Sequence, residues 1–148
     1  MKKAIVIYQS LHHENTKKLL EGMGEKCPFD MVSMSEAESI NLMEYEIIGF
    51  ASGIFYGKLH NSILEFVKTN PTMPDKCFVI FTSGSNNKKY ANSLIRLLEE
   101  QNRRVLGVYH CKGFDTYGLW KWIGGIARNH PNREDVEKGI AFIEKFIK

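Results

Sequence analysis

The stretch YQSLHHENTKK, residues 8–18, gathers small hydrogen-bonding groups at one corner: hydroxyls on Ser10 and Thr16, an amide on Asn15, ring nitrogens on His12 and His13. A helix that starts here adds unpaired first-turn N–H groups and the positive end of its dipole. Together these make an anion site, with phosphate the natural guest. A plain helix cap by Ser10 or Asn15, with the histidines in water, would use the same residues. Further along, SGIFYG sets Ile54, Phe55 and Tyr56 between Gly53 and Gly57, after Ser52, where a surface loop is ordinarily polar. Such a loop either stacks on a flat ligand or packs onto the element that follows. A third stretch, TSGSNN, holds Ser83, Gly84, Ser85 and Asn86 in a compact polar loop. Its backbone can hydrogen-bond the edge of a heteroaromatic ring or serve as an ordinary connection.

Hydrophobic periodicity says what positions these loops. Residues 4–8 are apolar and mostly β-branched at every position, as in a strand covered on both faces, which points to a parallel sheet. From Asn15 the spacing turns helical, with Leu19, Leu20 and Met23 on one face. A weaker strand is expected over 29–34, a strong one over 45–51, then a loop over 52–58. Leu59, Ile63, Leu64, Phe66 and Val67 lie at helical spacing ahead of Pro71 and Pro74. Strand 77–81, loop 83–88, helix 90–101 and strand 105–109 repeat the alternation. A final helix over 133–147 is expected, with Asn132 as its cap. Five strands alternating with helices predict an α/β domain, a doubly wound five-stranded parallel sheet with helices on both faces. Loops 9–16, 52–58 and 83–88 all follow strand ends, where ligands of such sheets bind.

Bulk properties bound the rest. A chain of 148 residues that is 43% hydrophobic has the size of one domain, here taken as 1–148. Its formal charge of +3, from 20 basic and 17 acidic residues, is interspersed in short pairs, too mild to indicate nucleic acid. Three widely spaced cysteines suggest neither a disulfide framework nor a zinc knuckle and fit a reducing cytoplasm. The apolar run behind Met1-Lys2-Lys3 is too short for a signal segment or a membrane span. Neither the P-loop pattern nor G-x-G-x-x-G occurs. No cysteine is followed six positions on by the arginine of a low-molecular-weight phosphatase. The acidic residues of a receiver domain are missing after the first and third strands. His13-Glu14 lacks the second histidine of a zincin motif, and the other histidines are scattered, so no metal is expected. Cys111 reads as a buried, inert thiol.

The three loops SLHHENT, SGIFYG and TSGSNN, with the ending GGIARNHPNREDVEKGIAFIEKF, resemble the flavodoxin-like family over the whole chain. The resemblance implies noncovalent flavin mononucleotide (FMN). Its phosphate would be held at Ser10, His12, Asn15 and Thr16, and its ring would lie between residues 52–57 and 83–86. It also implies electron transfer without a catalytic acid or base, transient reductase and acceptor proteins as partners, and a monomer or homodimer. An FMN-dependent reductase of nicotinamide cofactors or quinones, or a flavin-free binding module, are the alternatives. Flavodoxins typically carry a glycine and several threonines in the phosphate loop and an acidic surface. This chain has two histidines, Glu14 where glycine is expected, and net positive charge. An imidazole near phosphate favours its protonated form, so His12 would take over part of the missing hydroxyls' role. Residues 112–127, rich in aromatics, would form either a satellite core or a cap over the ligand.

Overall fold

The structure, a computed structural model, describes residues 3–10, 14–85, 87–113 and 130–148. Its strands and helices are β1 Ala4–Gln9, α1 Asn15–Gly24, β2 Asp30–Ser33, β3 Ile47–Phe55, β4 Lys58–Leu59, α2 Asn61–Thr69, β5 Lys76–Ser83, α3 Asn92–Glu100, β6 Arg104–Lys112 and α4 Arg133–Ile147. Strands β2, β1, β3, β5 and β6 lie side by side in that order, all parallel, and β4 pairs antiparallel with the end of β3. The chain steps from β1 outward to β2 and then back past β1 to β3. Strand order therefore reverses between β1 and β3, which opens a crevice above their carboxyl ends.

Alternation along each strand sorts side chains between two cores. Ile5 and Ile7 of β1, Ile48 and Phe50 of β3, and Val79 and Phe81 of β5 face α2 and α3, where they meet Ile63, Val67, Leu94 and Leu98. Ala4, Val6, Ile47, Ala51, Phe78 and Ile80 face the other way, against Leu19, Leu20 and Met23 of α1 and Ile143 and Ile147 of α4. The strands are apolar at successive positions because both of their faces are covered. Helix α4 begins as expected at Asn132, whose side chain accepts from the Asp135 N–H while the Asp135 carboxylate accepts from the Asn132 N–H. His130 Nδ1 lies 2.5 Å from the same carboxylate.

Two expectations need correction. Residues 52–58 are not a loop: β3 runs on to Phe55, and Tyr56-Gly57 turn the chain back into β4. Both turn residues have positive φ, 53° and 78°, the pattern of a two-residue I′ hairpin, which suits the twist of the paired strands. Leu59 accordingly belongs to β4, and helix α2 starts two residues later. The helix expected over 90–101 opens as a 3₁₀ turn, Lys88–Ala91, before α3 proper. Of the aromatic segment 112–127, residues 114–127 lie outside the described residues, as do His12, His13 and Asn86.

Candidate functional site

The parallel register brings the ends of four strands to one level. Gln9 pairs with Ser52, Ser52 with Phe81, and Ser83 with Lys112. The segments leaving these ends are tied to one another. Thr16 Oγ1 in the first turn of α1 is 2.9 Å from Thr82 Oγ1 of β5, a buried contact that pins the helix start over the centre of the sheet. The Gly113 N–H donates to the Ser83 carbonyl at 2.9 Å, which closes the end of β6 onto the loop after β5. A Cβ at 113 would lie 2.7 Å from Asn15 Nδ2 and 3.0 Å from its Cβ, so the glycine leaves room for the Asn15 side chain in its present position. Hairpin strand β4 packs beside the 3₁₀ turn Lys88–Ala91, which joins the second loop to the third.

At the first loop, helix α1 points its N-terminus at the rim. Ser10 Oγ accepts the Lys17 N–H at 3.2 Å and so caps the helix across seven residues. Glu14 occupies the position before the helix at φ 50°, ψ 41°, and no side-chain bond caps the helix from there. The left-handed conformation that a glycine would adopt without strain is thus kept by a side chain that resists it.

At the β3–β4 hairpin, the Ser52 hydroxyl is buried, donates to the Gly53 carbonyl at 2.6 Å and accepts the His60 N–H at 3.0 Å. His60 caps α2: its Nδ1 accepts the Ser62 N–H at 3.1 Å and lies 2.8 Å from Ser62 Oγ. Its ring meets Phe55 edge-on at 4.9 Å between centroids. Burial lowers the pKa of His60 below the ordinary imidazole value, which suits the acceptor role, because a protonated Nδ1 cannot accept. Ile54 and Phe55 are half-buried, whereas Tyr56 at the hairpin tip is 100% exposed.

At the third loop, the Ser83 hydroxyl donates to the Ser85 carbonyl, and Ser85 Oγ is 2.8 Å from the Tyr90 hydroxyl. Tyr90 meets the Phe81 ring at a steep angle, and His110 stacks parallel to Phe81 at 4.9 Å between centroids. Burial and the nearby Lys88 ammonium lower the His110 pKa, and its buried Nδ1 has no partner among the described residues. Burial pushes the Cys111 thiol up to about 12, so it stays protonated and unreactive. No group of three or more potential metal-ligating side chains occurs among the described residues.

The hydroxyls of Thr16, Ser52 and Ser83 are therefore spent on holding the loops in place. What the rim has besides is the start of α1, the exposed hairpin tip with Tyr56, and the backbone of Gly53, Gly84 and Ser85, of which the Gly53 and Ser85 carbonyls already accept from the Ser52 and Ser83 hydroxyls. Sequence reasoning did not reach Thr82, His60, Tyr90 or Gly113, which fix those loops. Only His60 left a signal, as the last residue before the polar pair Asn61-Ser62 and the helical spacing after it. Strain marks the same places. Among the described residues three non-glycine residues have positive φ; two are Glu14 and Tyr56, and the third is Asn102, a residue type that tolerates the conformation.

Residues 5–122 match the sequence profile of the Flavodoxin domain. The chain belongs to the flavodoxin domain family. An uncharacterized protein of Methanocaldococcus jannaschii is 33% identical over 148 residues, 99% of each chain. Among solved structures, a flavodoxin from the domain Archaea aligns with a TM-score of 0.65 at 21% identity, covering 97% of each chain. The Fusobacterium nucleatum flavodoxin bound to flavin mononucleotide aligns at 0.63 and 13% identity over 100% of both. A WrbA-like flavodoxin from Agrobacterium tumefaciens gives 0.63 at 16% identity, again over 100% of both. At these identities the structural likeness establishes the flavodoxin fold. Among the described residues no helix is long and apolar enough to cross a membrane.

Proposed function

We propose that this flavodoxin-domain protein binds FMN noncovalently at the rim and moves electrons between transient protein partners. The observation that carries the reading is the union of three chemically different walls. These are a helix N-terminus pinned by Thr16 and Thr82, an exposed aromatic hairpin tip, and a polar loop closed by Ser83. That donor set fits a ligand with an anionic tail, a flat apolar body and a polar ring edge. The phosphate would lie against the first turn of α1, at Ser10, Asn15 and Thr16, with His12 beside it. The ring would contact Phe55 and Tyr56, and its edge the backbone of Gly53, Gly84 and Ser85. The Fusobacterium protein was solved with this cofactor, and so was a flavoprotein of Lactobacillus acidophilus, which supports the assignment.

When bound, the flavin supplies the redox chemistry, and the chain's residues bind it, orient it and set its surroundings. The three cysteines are free and buried, which fits work in a reducing, cytoplasmic compartment. The test is the visible spectrum of the purified protein through stepwise chemical reduction. Flavin bands that bleach on reduction and return in air support the reading. A protein that stays colourless after FMN is added refutes it. Turnover of a nicotinamide cofactor with an artificial acceptor, in the absence of a reductase, would instead mark a reductase.

A further inference from the structure

The segments that leave the ends of β3, β5 and β6, residues 52–64, 82–94 and 109–113, contain four lysines and no aspartate or glutamate. The fold makes these lysines neighbours. Lys58 lies on β4, opposite Phe55 and next to the 3₁₀ turn that carries Lys88 and Lys89. Lys112 ends β6 where Gly113 is bonded to Ser83. The Lys88 ammonium is near enough to the last turns of β6 to lower the pKa of His110. Lys88, Lys89 and Lys112 are exposed and Lys58 is half-buried. None of the four is in an ion pair among the described residues; the pairs that occur lie along the helices or at the opposite edge, apart from His130–Asp135 at the start of α4, which adjoins β6 where the Tyr109 hydroxyl donates to the Asp135 carbonyl. That opposite edge interleaves signs, with Glu46, Asp75 and Glu100 among Lys76 and Arg104. Residues 114–129 hold one acidic and two basic side chains, so wherever they lie they do not reverse the sign of the rim.

We propose that the β3–β5–β6 side of the rim is a docking surface for an acidic protein, one that presents carboxylates around its own redox centre. The partner's redox character rests on the flavin reading; its acidity rests on the lysines alone. Four lysines on three separate segments, three of them exposed to solvent and one half-buried, do not by themselves make a pocket for a small anion. They do make a field that steers a large, oppositely charged surface. The fully exposed Tyr56, at the tip of the hairpin that carries Lys58, adds the kind of side chain that protein interfaces favour.

The experiment uses a small acidic [2Fe–2S] protein as probe, cytochrome c as a basic counter-probe and a single-stranded RNA 20-mer as a second anion, each titrated into ¹⁵N-labelled protein with and without FMN. The expected result is salt-sensitive binding of the acidic probe, with amide shifts at 54–60, 84–90 and 110–113, and none with cytochrome c. In the quadruple variant Lys58→Gln, Lys88→Gln, Lys89→Gln, Lys112→Gln, affinity should fall about tenfold or more at low salt. A charge-matched control, Lys26→Gln, Lys68→Gln, Lys76→Gln, Arg104→Gln, should change it by no more than about twofold, since distant exposed charges are screened. Shifts elsewhere, equal losses in both variants, or tighter binding of the RNA to these lysines would overturn the proposal. A protein that takes no FMN but still binds the acidic probe here would refute the flavin reading and leave the docking surface standing.

Discussion

Replacing Tyr56 by Asn should stabilise the apoprotein and weaken its hold on FMN at the same time. Tyr56 is fully exposed, so its ring contributes no buried area to the folded state. Its backbone is at φ 53°, followed by Gly57 at φ 78°, and the change creates Asn-Gly, the pair that I′ turns favour most. An ordinary L-residue in the left-handed region costs roughly 1–2 kcal/mol, and asparagine less. A net gain of about 0.5–1 kcal/mol follows, which in a domain of this size raises the melting temperature by roughly 1–4 °C. The ring's worth as a stacking partner is lost in exchange. Aromatic contacts contribute about 0.5–1.5 kcal/mol beyond area burial, so FMN affinity should fall roughly 2- to 12-fold. Thermal melts of the apoprotein measure the first effect and quenching of flavin fluorescence the second. A variant that melts lower, or that binds FMN as tightly as the parent, would refute the reasoning that strain at this tip is kept for the ligand.

Glu14→Gly relieves backbone strain and removes a carboxylate beside the expected phosphate, whereas Glu14→Gln removes the charge alone. Both should tighten FMN several-fold at low salt, and only Gln should lower apoprotein stability, by about 0.3–1 kcal/mol of lost dipole interaction. Thr16→Val leaves the buried Thr82 hydroxyl without its partner and should cost about 1–3 kcal/mol in urea melts, much of it restored in Thr16→Val/Thr82→Val. His60 is held neutral in the fold, its pKa below the ordinary value of about 6.5. The unfolded chain therefore binds more protons over the interval between the two values. His60's share of stability is complete above about pH 6.5 and is lost as pH falls through the lowered value. Asparagine caps helices without titrating, so His60→Asn should flatten this acid-side loss in melts across pH 5–8, while His60→Ala should cost about 1 kcal/mol above about pH 6.5 and progressively less as pH falls, where the parent loses the same cap.

The layered fold was legible because burial on both faces writes itself into β1, β3 and β5 as unbroken apolar runs, and the helices between them carry a single apolar stripe. Asn132 was legible as a cap because its partner Asp135 stands at the spacing of the cap geometry. The hairpin was hidden because its tip is Tyr-Gly rather than Asn-Gly and its outgoing strand is only two residues long. Leu59, four residues before Ile63, fits a helical stripe as well as a strand, and only the His60 cap decides between them. Ser10 through Thr16 could be read as a hydrogen-bonding corner, but not which hydroxyls would be left over. Thr16 and Ser52 spend theirs on Thr82 and His60, residues distant in sequence or two elements away, and no local pattern encodes such pairings.

The central claim is that the opening of α1 grips a phosphate while the hairpin and the third loop hold a ring. Titrating the apoprotein in parallel with FMN and with riboflavin, which has the ring but no phosphate, tests it most directly. Two charge-assisted hydrogen bonds at about 1.5 kcal/mol each predict that FMN binds roughly 100-fold more tightly. Equal affinities for the two compounds, or no binding of either, would contradict the account.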